Sequence, residues 1–447
     1  MADAIREECE TFVDGFVQLE HNGRLEALWK LCSSAIAEDR LVVPLVVGLA
    51  LRDRGVHEWA EYAFRLIMPI PGVGGMATFE LAVLKAFQGQ PDLAVQLLEP
   101  PTVEPTLNAY HRRFFSHQLT RVGRRAEAEI QLERSLDLDL AHVQECLAIE
   151  QFADYLAEFP EADALRRCLA LHDSYPFRTD DEVVDDFSAA LREGRGWSLI
   201  RINDGEGATF RFPIADEARF SELYRWSRNE FHKIWFGGGD MLFDPVYLAA
   251  LDEFAATIPT ADCLAADHQG SLTFEYGIGS MRNVPGIFNI VRKLEHLLKT
   301  GVVTPGRINL CSPSINQGLL FSGRLDEIIG AQSRLGLIGP YSALPDRLAR
   351  RFDLSEVYFH KTPGEAAVRE GPPEPMEVWH GRLMAEMADV RPGVLYLVAA
   401  GVTGKTYCSL IKQAGGVAFD IGSVADIWMG KPTRSFSPAA QAHRLPE

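Results

Sequence analysis

The chain has 447 residues, more than one ordinary core carries, and its 47% hydrophobic and 24% charged content is that of folded globular domains. A formal net charge of −18 with no basic run argues against nucleic acid or an anionic membrane surface as the main partner. A nucleotide stays open, because a metal or a few local basic groups offset the global field.

No stretch approaches the roughly 18 uninterrupted apolar residues of a spanning helix, so no transmembrane segment is expected. Residues 1–10 are charged and lack the apolar centre of a signal peptide. The seven cysteines are scattered and form no Cys-x-x-Cys pair, which reads as small apolar residues in a reducing compartment rather than as zinc ligands or disulfides. Together these features give the expectation of a cytoplasmic protein.

The amino-terminal third carries a repeat. Gly55, Gly89 and Gly123 stand 34 residues apart, and Ala60, Ala94 and Ala128 keep the same step. Each glycine closes a helical pattern (Leu51–Gly55, Lys85–Gly89, Leu119–Gly123) and is followed by an amphipathic run such as Pro91–Leu98. A weaker copy begins at Gly23, and the loops Met68–Gly75 and Glu99–Pro105 interrupt the pattern. The period resembles that of tetratricopeptide repeats, which implies paired helices over residues 10–150 and a concave surface for a peptide or protein. A dimerisation or scaffold module, giving a homo-oligomer through the repeats, is the equal alternative. Periodicity continues through residues 151–172 and breaks at Pro176, so the expected domains are 1–172, all-α and tetratricopeptide-like, and 173–447.

From there short apolar runs alternate with amphipathic segments. The strand candidates are Ser198–Ile202, Asp262–Ala266, Arg307–Cys311, Arg334–Ile338, Glu356–Phe359, Val394–Val398 and Val417–Ile421; Leu344–Phe352 and Met376–Val390 are helices between them. Such alternation predicts an α/β, Rossmann-like, mainly parallel sheet covered on both faces. Ligands in these sheets bind outside the carboxyl ends of the strands. Polar residues gather there: Asn203, Asp204 and Glu206; Asp267 and His268; Gly339, Pro340, Tyr341 and Ser342; His360, Lys361 and Thr362; Gly401 to Thr406; Asp420, Gly422, Ser423 and Asp426.

Asp204 and Glu206 flank Gly205, and Gly205 and Gly207 are expected to let the backbone turn in a tight acidic loop. Two carboxylates at a strand end can share a hard divalent cation, or they can simply cap the next helix. Gly401-Val-Thr-Gly-Lys-Thr406 looks like the end of a Walker A loop, but Ala399 stands where that motif needs glycine, so an ATPase is rejected. What remains is a glycine-rich turn into a helix, able to receive a phosphate or needed only for packing.

Ser198–Glu206 resembles the strand and Asp-x-Glu loop of GT-D-type glycosyltransferases, and Leu397–Gly404 with Gly416–Trp428 resembles that family's closing segment. The usual Arg-Phe-Gly-Asp-Gly-Glu string is here Arg201-Ile-Asn-Asp-Gly-Glu206. The resemblance implies a GT-D-like fold and sugar transfer from a nucleotide-sugar donor to a protein or glycan acceptor. It also implies a divalent ion, manganese or alternatively magnesium, at Asp204 and Glu206. Asp267, His268, His360 and Asp426 are then candidates for the catalytic base. Donor-binding candidates are Arg201, Asn203, Gly205, Asp267, Gly339, Pro340, Tyr341, His360, Lys361, Gly401, Thr403, Gly404, Lys405 and Asp420. Tyr341 and Trp428 either meet the ligand or pack. The alternatives are another nucleotide-using transferase, such as a methyltransferase, and a repeat-based adaptor with an inactive transferase-like domain.

Overall fold

The computed structural model describes residues 2–100, 103, 107–210, 218–238, 244–266, 268–431 and 442–446. Two compact units emerge: Met1–Tyr155 with Tyr276–Ser280, and Leu156–Glu275 with Met281–Glu447. No helix among the described residues is long and apolar enough to cross a membrane.

In the first unit, helices Val42–Asp53, Gly74–Phe87 and Ala109–Arg121 are each followed by a glycine with positive φ (Gly55 at 73°, Gly89 at 70°, Gly123 at 78°) and then by a second helix. Glycine suits these corners because a β-carbon in the left-handed region collides with the backbone. Ala60, Ala94 and Ala128 lie one repeat apart in the second helices, and all three are buried. Small side chains there let each helix lie close to its partner. Gly23 does not share this role: it sits inside the helix His21–Ala37 rather than at a corner.

The break between units falls after Tyr155, earlier than residue 172. Packing explains why helix Glu161–Ala170 and the segment around Pro176 go with the second unit. The Arg167 guanidinium pairs with Glu295, and the buried Tyr175 donates its hydroxyl to the Leu294 carbonyl at 3.0 Å. Leu310 donates its amide to Pro176 and accepts from Arg178, so this stretch runs alongside a strand instead of hanging free.

The second unit is built on seven parallel strands: β1 (Trp197–Arg201), β2 (Cys263–Ala265), β3 (Asn309–Cys311), β4 (Arg334–Gly339), β5 (Glu356–Lys361), β6 (Leu395–Val398) and β7 (Val417–Asp420). Each expected run holds a strand. His360 and Lys361, expected beyond the end of β5, are its last two residues.

Alternate residues of the central strands (Leu199, Leu335, Leu337, Leu395, Leu397, Val417, Phe419) join one buried core on one face of the sheet. On β4, Gly336 is the register partner of Tyr396, and a β-carbon there would fall inside the tyrosine ring. The seven cysteines are free and buried.

The strand order is β3-β2-β1-β7-β6-β4-β5. From β1 the chain steps outward to β2 and β3, crosses to the far side, and returns to set β7 against β1. β1 and β7 therefore lie side by side inside the sheet, and open α/β sheets bind ligands outside the carboxyl ends of their strands.

The corner glycines make a stability test. Gly55→Ala meets no atom within 4 Å but keeps φ at +73°, so it is expected to destabilise the chain by about 1 kcal/mol. Gly23→Ala, inside a helix with only Leu19 nearby at 3.6 Å, is expected to stabilise it by about 0.5–1 kcal/mol. Thermal unfolding of the full chain, followed by circular dichroism, separates the two.

Candidate functional site

At the end of β1 the chain does not form the expected loop. Asn203 leads directly into a short helix, Asp204–Thr209, and Glu206 folds back so that one carboxylate oxygen accepts the Asn203 amide at 3.0 Å. Gly205 and Gly207 are not turn residues, since neither has positive φ. They are contact residues. A β-carbon on Gly205 would lie 2.8 Å from the Trp235 ring and 3.1 Å from Phe231, and one on Gly207 would overlap the carbonyl of Gly286 in the helix Asn283–Lys299. Gly286 in turn lies against the Asp204 backbone. The two glycines thus let this helix sink between two others.

Glu206 is buried, and its second oxygen lies 3.1 Å from the Lys405 ammonium. The same ammonium lies 2.5 Å from Asp420 at the end of β7. All three side chains are more than nine-tenths buried. Burial alone would raise the Glu206 carboxyl; Lys405, the Asn203 amide and Arg201 outweigh it, so the group sits below the ordinary carboxylate range. For Lys405, burial opposes the charge, but Asp420 and Glu206 overcome it and hold the ammonium above its ordinary value. Asp420 also accepts the Arg201 amide at 3.3 Å and the Gly422 amide at 3.2 Å. One lysine therefore ties the end of β1, the helix after β6 and the end of β7.

Beside this cluster lies the Arg201 side chain, only 8% exposed. Its Nε donates to the Pro313 carbonyl at 3.1 Å, while its two terminal nitrogens bond no group among the described residues. Gly422, at φ +48°, leaves the space that one of them fills. Asn316, fully buried after β3, donates to the Ile421 carbonyl at 2.7 Å, and its side-chain oxygen has no partner. Asn316 was absent from the sequence-based candidates. Its signal was available in the polar string Ser312-Pro-Ser-Ile-Asn316 directly after β3, the strand end that the sequence analysis left out.

The remaining candidates divide by position. Tyr341 is wholly buried, so its ring packs rather than stacking on a base, and its hydroxyl donates to Asp426 at 2.7 Å. Trp428 is buried too, and Gly339 and Pro340 lie inside with Tyr341. His268 places Nε2 2.6 Å from the Ile202 carbonyl; a carbonyl only accepts, so the proton sits on Nε2. Asp267 lies outside the described residues.

Gly401, with φ +55°, and Thr403, whose hydroxyl donates to Ala400, form the turn into the helix Gly404–Gln413. His360 and Lys361 are not brought to the cluster. They end the edge strand β5, four strands from β1, roughly 19 Å at ordinary inter-strand spacing. There His360 pairs with Glu386 at 2.8 Å, and Lys361 with Ser342 at 2.6 Å and Glu370 at 3.2 Å.

The expected cation between Asp204 and Glu206 does not fit this arrangement. Residues two apart on a helix project in nearly opposite directions, and both oxygens of Glu206 are engaged by protein donors. Against family models, curated proteins and solved structures, the chain has no match.

Two stability measurements follow from the cluster. Lys405→Met leaves two buried carboxylates facing each other, and urea unfolding is expected to show a loss of about 3–5 kcal/mol. The pH dependence has a definite sign. The depressed Glu206 carboxyl contributes stability in full above the ordinary carboxylate range, and that contribution is lost as the pH falls through its lower, folded value. Glu206→Gln is expected to flatten this part of the acid limb.

Proposed function

We propose that the second unit is a glycosyltransferase that binds the diphosphate of a nucleotide-sugar donor at the carboxyl edge of its sheet, where the ends of β1 and β7 lie side by side. The observation that carries this reading is Arg201. The side chain is largely buried, a single carbonyl serves Nε, and among the described residues the two terminal nitrogens have no partner. That fork is the geometry that binds phosphate oxygens in pairs. The Gly401–Gly404 turn adds the N-terminus of the helix Gly404–Gln413 at the same edge. The resemblance of Ser198–Glu206 and Leu397–Trp428 to GT-D enzymes supports the same class.

In the transfer, the bond between the sugar C1 and the diphosphate oxygen breaks, and its electron pair leaves with the nucleoside diphosphate. The acceptor hydroxyl oxygen bonds to C1, and its proton passes to a base. Arg201 offsets the charge that develops on the leaving diphosphate. Asp204, at the first position of its helix, Asp426, oriented by Tyr341, and His268 are the described candidates for the base. The acceptor is a protein or a glycan, and the helical unit is the part suited to recruit it.

The test is calorimetric binding of a panel of nucleoside diphosphates, together with hydrolysis of the matching nucleotide sugars. One nucleotide is expected to bind, and Arg201→Gln is expected to weaken it at least about tenfold with an unchanged circular dichroism spectrum. Asp204→Asn is expected to remove turnover. A panel with no binder, or an Arg201→Gln chain that binds as well as the wild type, rejects the reading.

A further inference from the structure

We propose that the Lys405 ammonium occupies, between Glu206 and Asp420, the place a divalent cation would take, and that the donor site therefore works without a metal ion. The part about the donor rests on the transferase reading above. The part about the cation stands on geometry alone.

A divalent ion at a strand edge is held by carboxylate oxygens from separate segments that converge on one point. Two carboxylates converge here. Glu206 comes from the helix after β1 and Asp420 from the end of β7, and the point they share is the Lys405 nitrogen, 3.1 Å from one and 2.5 Å from the other. Asp204, the residue expected to complete a metal chelate with Glu206, projects to another side of its helix.

The lysine also differs from an ion in being tethered. It is delivered by the second residue of the helix Gly404–Gln413, so its concentration at the site is fixed by the fold. A metal entering between the carboxylates would have to break both ion pairs of a buried ammonium.

Charge balance agrees. Two carboxylates face one ammonium, and the Arg201 guanidinium, close enough to favour the Glu206 charge, brings these four groups to neutrality. The terminal nitrogens of Arg201 then remain for an incoming phosphate. A divalent ion added to this set would leave it two charges in excess.

Manganese binding tests this directly, because the electron paramagnetic resonance signal of free Mn2+ falls as the protein takes it up, with no nucleotide present. The wild-type chain is expected to hold no manganese at this site. Lys405→Ala removes the ammonium and leaves the two carboxylates, and it is expected to bind one Mn2+ at least about tenfold more tightly than the wild type. Adding Asp420→Asn to it is expected to abolish that gain.

A wild-type chain that holds one Mn2+ and loses it in Glu206→Gln overturns the proposal. So does a folded Lys405→Ala chain that gains none. If Lys405→Ala fails to fold, the wild-type titration decides alone: uptake released by Glu206→Gln overturns the proposal, and no uptake supports it. Absence of nucleotide binding would reject the transferase reading and leave this measurement untouched.

Discussion

A single ammonium shared by two carboxylates holds the carboxyl edge of this sheet together. Removing such charges from water costs several kcal/mol per ion, a cost offset only when each charge finds a partner in good geometry. Lys405 meets that condition through Glu206 and Asp420, and Asp420 passes the constraint on by accepting the Arg201 and Gly422 amides. The positions of the Asp204 helix, the Gly401 turn and the Gly422 corner are thus coupled through one nitrogen atom. Arg201 is the member of this group whose outer donors have no partner among the described residues, and Gly422 lacks the β-carbon that one of them would meet.

The sheet explains why these groups sit where they do. Its central strands are buried throughout, and their interior positions admit only apolar side chains or the small residues that neighbouring rings demand, as Gly336 does for Tyr396. Polar chemistry is displaced to the strand ends. Parallel topology then gathers all the carboxyl ends on one edge. Glycine serves two separate needs in this fold. At Gly422 and Gly401 the backbone is left-handed, whereas at Gly205, Gly207 and Gly286 the backbone is ordinary and the missing β-carbon lets helices touch.

Much of the architecture was legible from the order of residues. The strands are short apolar runs bounded by turn signals, and the repeat is written in glycines and alanines one period apart. Both are local patterns, and both recur in the structure. Less of the site was legible. The strand-end rule pointed to Asp204, Glu206, Lys405 and Asp420, but it gave His360 and Lys361 equal standing. Every strand end looks alike until strand order is known, and only the order β3-β2-β1-β7-β6-β4-β5 puts β5 at the far edge.

The sequence by itself determined the two kinds of architecture, the strand segments and which strand ends carry charge, because those follow from hydrophobic period and backbone preference within a few residues. Tertiary structure alone decided the pairing of those charges. Glu206 meets Lys405, and Lys405 meets Asp420, across strands that are adjacent in space and distant along the chain. It also decided that Asp204 and Glu206 part on a helix rather than converge in a loop. The physical reason is that a buried ion pair depends on distances fixed by packing, and spacing along the chain does not encode them.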